Sequence, residues 1–181
     1  MNRQALISEI ENYQSKYPEE MIYRGRFLDL LSYDDCFERS LLFGHITASA
    51  WVLNPSKDAV VLMHHKKLDR WLQPGGHTDG DEDVVRVARK ELEEETGLRN
   101  VLLLHDGIFD LDIHPIPARK EVPAHEHYDV RFVFVTLTPD ELTKNEESNQ
   151  LAWIPLTDIS SYVANEISIM RMVEKSALLY I

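Results

Sequence analysis

Short β-rich runs separated by a few helical patterns predict an α+β fold for this chain of 181 residues. Three observations carry that expectation. Residues 128–137 are dense in β-branched and aromatic side chains and read as a long strand. Residues 45–53 and 59–65 are two further strand runs joined by Asn54-Pro55-Ser56-Lys57-Asp58, a turn signal, and so predict a hairpin. Residues 83–96 carry apolar side chains at helical spacing and stop before Gly97, a residue type favoured just past a helix end.

The remaining elements follow in chain order. Residues 3–16 have Ala5, Leu6, Ile10 and Tyr13 at helical spacing, and residues 24–38 suggest a second helical region broken near Ser32-Tyr33-Asp34-Asp35. Together, residues 1–40 predict a helical N-terminal extension packed on a domain spanning 41–181. After the hairpin, a short strand is expected at Trp71-Leu72 and a turn at Pro74-Gly75-Gly76. Strands are expected at 100–105 and 107–114, a polar acidic loop between 139 and 149, a short strand at 151–154, and helices over about 156–163 and 166–179. No internal repeat or low-complexity tract interrupts this order.

Composition narrows the function. A hydrophobic content of 44% suits a packed core. The formal charge of −12 argues against avid nucleic-acid binding, which relies on Lys and Arg neutralising phosphates. A nucleotide substrate stays open, because a bound cation reverses the local field. The single cysteine, Cys36, leaves no internal disulfide and suits a reducing cytoplasm. The first residues lack the apolar core of a signal peptide, and no apolar run is long enough to span a bilayer. The expectation is a cytoplasmic protein without a membrane or stable nucleic-acid partner.

Chemistry concentrates in the helix at 83–96. Glu91, Glu94 and Glu95 stand at i, i+3 and i+4, neighbours on one helical face. Three adjacent carboxylates repel unless positive charge lies among them, and a hard divalent cation with oxygen ligands meets that need. The bland alternative is a solvated acidic face. The helical wheel weighs against it: Val84, Val85, Ala88 and Leu92 form the expected buried stripe, with Glu95 inside it and Glu91 at its edge. Glu94 falls beside Glu91 on the side of Val87, while Glu93 faces water near Arg86 and Arg89.

The spacing extends beyond the helix. Gly76, Glu82, Lys90-Glu91-Leu92, Glu94-Glu95 and Gly97-Leu98 fall in one register, preceded by Trp71-Leu72-Gln73-Pro74-Gly75-Gly76-His77. This pattern resembles the Nudix box, G-x5-E-x7-R-E-U-x-E-E-x-G-U with U a bulky aliphatic residue. It departs from the box once, with Lys90 where the family has arginine. The flanking strands extend the likeness over roughly residues 43–155, and the chain resembles a Nudix (MutT-like) hydrolase. The resemblance implies an α/β/α sandwich around a mixed sheet. It also implies Mg2+ or Mn2+ held by Glu91, Glu94, Glu95 and the backbone carbonyl near Gly76. Glu82 and the basic residue at 90 would orient those ligands, with Lys90 keeping the charge but lacking arginine's bidentate fork. The implied activity is hydrolysis of a diphosphate linkage, in a small molecule such as a nucleoside diphosphate derivative. Glu146 and Glu147 are candidates for the general base, although a solvated loop is the favoured reading of that segment. Two other readings are a non-catalytic nucleotide-binding Nudix module and an isopentenyl-diphosphate-isomerase-like enzyme. The second needs a cysteine and glutamate pair facing the substrate, and it is disfavoured because Cys36 lies upstream of the first sheet strand.

Eight histidines add a second theme. If residues 125–131 are extended, His125, His127, Asp129 and Arg131 share one face. That face suits a transition metal, a substrate phosphate helped by Arg119 and Arg131, or a hydrogen-bonded polar edge. His77, directly after the glycine pair, is read as a substrate contact. Trp51 and Trp153 are expected in the core, and Trp71 is open between core and base stacking. Neither the particular diphosphate nor the choice between monomer and homodimer is legible.

Overall fold

The computed structural model describes residues 1–119, 122–164 and 166–179. In chain order the elements are α1 (Arg3–Asn12), α2 (Pro18–Leu30), β1 (Gly44–Leu53), β2 (Ala59–His65), β3 (Arg70–Leu72), β4 (Gly75–His77) and α3 (Val84–Thr96). They continue with β5 (Val101–Leu103), β6 (Asp110–Ile116), β7 (His125–Thr136), a single 3-10 turn (Pro139–Glu141), β8 (Ser148–Pro155), α4 (Ile159–Val163) and α5 (Ile167–Leu178). The fold is α+β, as expected. The chain groups into two compact units, one of Met1–Ser49, Gly75–Arg89 and Asp106–Phe132, the other of Ala50–Pro74, Lys90–His105 and Val133–Ile181.

In the first unit, α1 starts on Asn2, whose side chain accepts from Ala5 N at 3.0 Å. Helix α2 starts at Pro18, six residues before the expected helical region, and ends at Leu30. Proline is tolerated in a first turn because its missing N–H would have no helical partner there. Glu19 and Glu20 follow, where acidic groups suit the helix dipole. Glu20 is fully buried. Its Oε1 accepts from Tyr13 Oη at 2.7 Å and from Leu111 N of β6 at 3.0 Å. Phe27 packs edge-on against Tyr128 of β7, with ring centroids 5.3 Å apart.

Strands β6 and β7 pair antiparallel from Asp110↔Arg131 to Ile116↔His125. Both run longer toward their connecting loop than the sequence suggests. The Gly75-Gly76 segment, expected as a turn, is a strand: β4 pairs with β1 through Thr47↔His77, Ala48↔Gly76 and Ser49↔Gly75. The reason is steric. A Cβ on Gly75 would lie 2.3 Å from Ser49 Cβ and 2.8 Å from Ser49 Cα.

In the second unit, β2 pairs with β8 from Ala59↔Pro155 to His65↔Ser148, with a bulge at His64/His65, and with β3 on its other edge. The hairpin into β2 closes where Asn54 Oδ1 accepts from Asp58 N and Ala59 N, at 3.0 and 3.1 Å. Trp51 is fully buried, its Nε1 donating to Ser176 Oγ of α5 at 2.8 Å. Trp153 is half-buried rather than core, because its Nε1 reaches out to the Pro139 carbonyl at 2.8 Å. Among the described residues, no helix is long and apolar enough to cross a membrane.

The β1–β4 contact is testable. Gly75→Ala overpacks a backbone contact and should destabilise the protein by about 1–3 kcal/mol, measured by urea unfolding. A midpoint unchanged from wild type would mean that the two strands separate freely.

Candidate active site

Helix α3 begins on Asp83, whose Oδ1 accepts from Arg86 N at 3.1 Å. It ends at Gly97, whose φ of +76° places it in the left-handed region and whose N–H donates to Glu93 O at 2.9 Å. Val84, Ala88 and Leu92 are buried as the wheel predicts, but Val87 joins them while Val85 is half-exposed. The stripe is turned toward the Glu91–Glu94 side.

The three acids form a gradient in depth. Glu95 is 6% exposed, the Glu91 side chain 17% and the Glu94 side chain 55%. Lys90 Nζ lies 3.4 Å from Glu91 Oε1 and 3.5 Å from Glu94 Oε2. Partial burial pulls the Lys90 ammonium down, but the two carboxylates outweigh it and raise it above its ordinary value. Glu93 faces water and pairs with Arg99 at 2.9 Å. In the first unit, Glu82 lies 3.8 Å from Arg3 of α1, and Gly76 stands opposite Ala48. Glu146 and Glu147 are exposed in the turn before β8.

Residues 125–131 are extended, so His125, His127, Asp129 and Arg131 do share a face of β7. The face closes along its length. His125 and His127 are half-buried, whereas Arg131 is 3% exposed. Its guanidinium donates from Nε to Asp129 at 2.8 Å, from Nη1 to Asp110 at 3.2 Å and from Nη2 to Asp112 at 2.9 Å. Thr47 and Ser49 hydroxyls also donate to Asp129, at 3.1 and 2.8 Å. Arg131 is thus committed to holding β6, β7 and β1 together, which takes it out of the set of groups facing a substrate. Arg119 is exposed, in a backbone bridge with Val122.

The histidine cluster contains a member the sequence reading missed. His45 of β1 is 3% exposed and lies with His77 of β4 and His127 of β7. Ring centroids are 5.2 Å apart for His45–His77, 5.1 Å for His45–His127 and 4.7 Å for His77–His127. His125 stacks on His45 at 5.0 Å, and His114 meets His127 at 5.5 Å. The signal for His45 was present: polar His45, Thr47 and Ser49 alternate with apolar Ile46, Ala48 and Ala50 along a strand buried on both faces. Burial pushes His77 down to about 4, helped by Arg39 and His45, and His127 down to about 2, helped by His77 and His114. These rings are neutral at pH 7.

His64 and His65 serve their own turn. His65 Nδ1 accepts from Lys67 N and Leu68 N, each at 3.2 Å. Trp71 is half-buried, edge-on to His64 and Tyr162. Cys36 is fully buried, and that burial pushes its thiol up to about 11. At 0% exposure it does not face solvent as a substrate-facing cysteine of an isomerase-like site would.

The family model described as the NUDIX domain matches residues 44–172. The chain belongs to the NUDIX family. Among similar curated proteins, MutT4 of Mycobacterium tuberculosis (strain CDC 1551 / Oshkosh) is 30% identical over 113 residues, covering 60% of this chain and 44% of that protein. An RNA pyrophosphohydrolase of Pelagibacter ubique (strain HTCC1062) is 30% identical over 103 residues, covering 52% of this chain and 65% of that protein. The chain therefore spans less than two thirds of the length of either relative. Among solved structures, a C. elegans Ap4A hydrolase in a binary complex aligns with a TM-score of 0.60 at 18% identity, over 75% of this chain and 97% of that one. That likeness establishes the Nudix fold.

The Arg131 arrangement yields a stability prediction. Arg131→Met strands three carboxylates and should cost about 3–5 kcal/mol in urea unfolding. Arg119→Ala, on the surface, should stay within about 0.5 kcal/mol of wild type. Equal effects of the two changes would contradict the structural role given to Arg131.

Proposed function

We propose that this Nudix protein is a Mg2+- or Mn2+-dependent pyrophosphohydrolase that cleaves the diphosphate linkage of a nucleoside diphosphate derivative. The observation that carries the reading is the face of α3 on which Glu91, Glu94 and Glu95 descend from solvent into the protein. The donor set fits such a cation: it is all oxygen, clustered at i, i+3 and i+4, and includes a carboxylate too deep to be surface decoration. The relatives' names, RNA pyrophosphohydrolase and Ap4A hydrolase, support anhydride cleavage on a nucleotide.

In this reading Glu91, Glu94 and Glu95 hold the ion, which when bound supplies a Lewis acid and a water of lowered pKa. Lys90 bridges Glu91 and Glu94, restrains their rotamers and offsets their repulsion. Glu82, facing Arg3, takes the orienting role that the box assigns to its early glutamate. Glu146 and Glu147 are the candidate bases. Arg119 offers an exposed group to substrate oxygens. Residues 1–40 act as an extension packed on the catalytic domain, and the acidic chain with one buried thiol works in the cytoplasm.

The test is a panel of nucleoside triphosphates, ADP-ribose, dinucleoside polyphosphates, nucleotide sugars and CoA, assayed with and without Mg2+, with products identified by mass. Metal-dependent release of phosphate-bearing products is expected from at least one class. Nucleotide binding without turnover throughout would favour a non-catalytic module.

Two variants sharpen this. Glu95→Gln keeps size and removes ligand charge, and turnover should fall by more than the ~100-fold typical of losing a ligand's supporting hydrogen bond. Lys90→Arg keeps the cation and adds a fork, so kcat/KM should hold or rise. Wild-type turnover in Glu95→Gln at saturating Mg2+ would remove that residue from the site.

A further inference from the structure

We propose that His45, His77 and His127 form a binding site for one divalent transition-metal ion of the zinc, iron, cobalt or nickel class, separate in its donors from the carboxylates of α3. One ligand atom from each residue lies within 4.8 Å of the other two. Nε2 of His45 and Nε2 of His127 are buried and have no hydrogen-bond partner among the described residues. A buried polar nitrogen without a partner carries a desolvation cost that no hydrogen bond offsets. Two such atoms, on two strands beside a third imidazole, are an anomaly that a shared cation removes.

The tautomers are set for it. His45 Nδ1 lies 3.4 Å from the Leu41 carbonyl, so the proton belongs on Nδ1 and the Nε2 lone pair is exposed to the cluster. His125 is held likewise, its Nδ1 2.9 Å from the Pro123 carbonyl, and it stacks on His45. His114, itself 3.1 Å from Asp112, borders His127 and ties the cluster to the Arg131 network.

The donor chemistry selects the ion. Neutral imidazole suits zinc, copper, iron and nickel, whereas Mg2+ and Ca2+ demand oxygen. Tetrahedral binding at 2.0–2.1 Å brings nitrogens to roughly 3.4 Å apart, so loading draws the rings together by at most about 1.4 Å. Small side-chain rotations from three paired strands accomplish that. A phosphate would need free positive charge, but Arg131 is sealed among three aspartates and the nearby Arg39 is paired with Asp79, Nη2 to Oδ2 at 2.6 Å.

The experiment uses untagged full-length protein, stripped with chelator and titrated with Co2+ in the presence of millimolar Mg2+. One equivalent should bind, with the visible absorption of a nitrogen-ligated cobalt centre, and Zn2+ should displace it. His127→Gln and the half-exposed His77→Gln should each weaken Co2+ binding by ~100-fold or more, with far-UV circular dichroism unchanged. Should His127→Gln fail to fold, His77→Gln carries the test. Glu95→Gln should bind Co2+ as wild type does. The proposal fails if no Co2+ binds, if both histidine variants bind it normally, or if Glu95→Gln abolishes binding. It fails also if the stripped protein takes up inorganic phosphate or pyrophosphate at the cluster, with loss in His77→Gln.

Discussion

The sealed guanidinium of Arg131 is the constraint around which the first unit is built. Asp110, Asp112 and Asp129 each accept one of its hydrogen bonds, and none of the four residues is appreciably exposed. Charge taken this far from water persists only where donors and acceptors match closely. That requirement fixes the register of β6 against β7, because Asp110↔Arg131 and Asp112↔Asp129 are direct partners. A slip of one residue would turn every one of these side chains to the opposite face. The hydroxyls of Thr47 and Ser49 extend the same demand to β1. The histidine cluster lies further along this polar seam, so its geometry is inherited from the ion network.

What was legible in the sequence was local. The carboxylates at 91, 94 and 95 belong to one helix, and helical periodicity alone puts them together. Strand β2 and its hairpin turn were equally plain, since Asn54 and Asp58 sit at a loop whose hydrogen bonds are short-range. The start of α2 was missed because Pro18 was not read as a first-turn residue. The glycine pair at 75–76 carries a turn signal in the sequence, whereas at Gly75 the missing side chain serves a close strand approach. Val85 and Val87 traded places because a wheel gives the stripe's width but not the rotation that packing chooses.

What was hidden was tertiary. His45 lies over eighty residues from His127 in sequence, and strand pairing brings them together. Arg131 looked like a cation for a ligand because nothing local announces three aspartates, two of them on another strand. The two donor sets also differ in kind. Oxygens of graded depth line α3, and imidazole nitrogens gather on β1, β4 and β7. One chain therefore carries both an all-oxygen and an all-nitrogen donor set.

Glu20 has a consequence that reaches beyond its hydrogen bonds. Strand β6 pairs with β7, and the Leu111 N–H on its open flank is met by the Glu20 carboxylate from α2. An unpaired strand flank is a template for another chain's strand, and a covering helix that satisfies its amide blocks that growth. Helix α2 is in this sense a guard on the sheet's margin. Its departure would give the molecule an adhesive edge, and loss of the first thirty residues would be felt as self-association as well as instability.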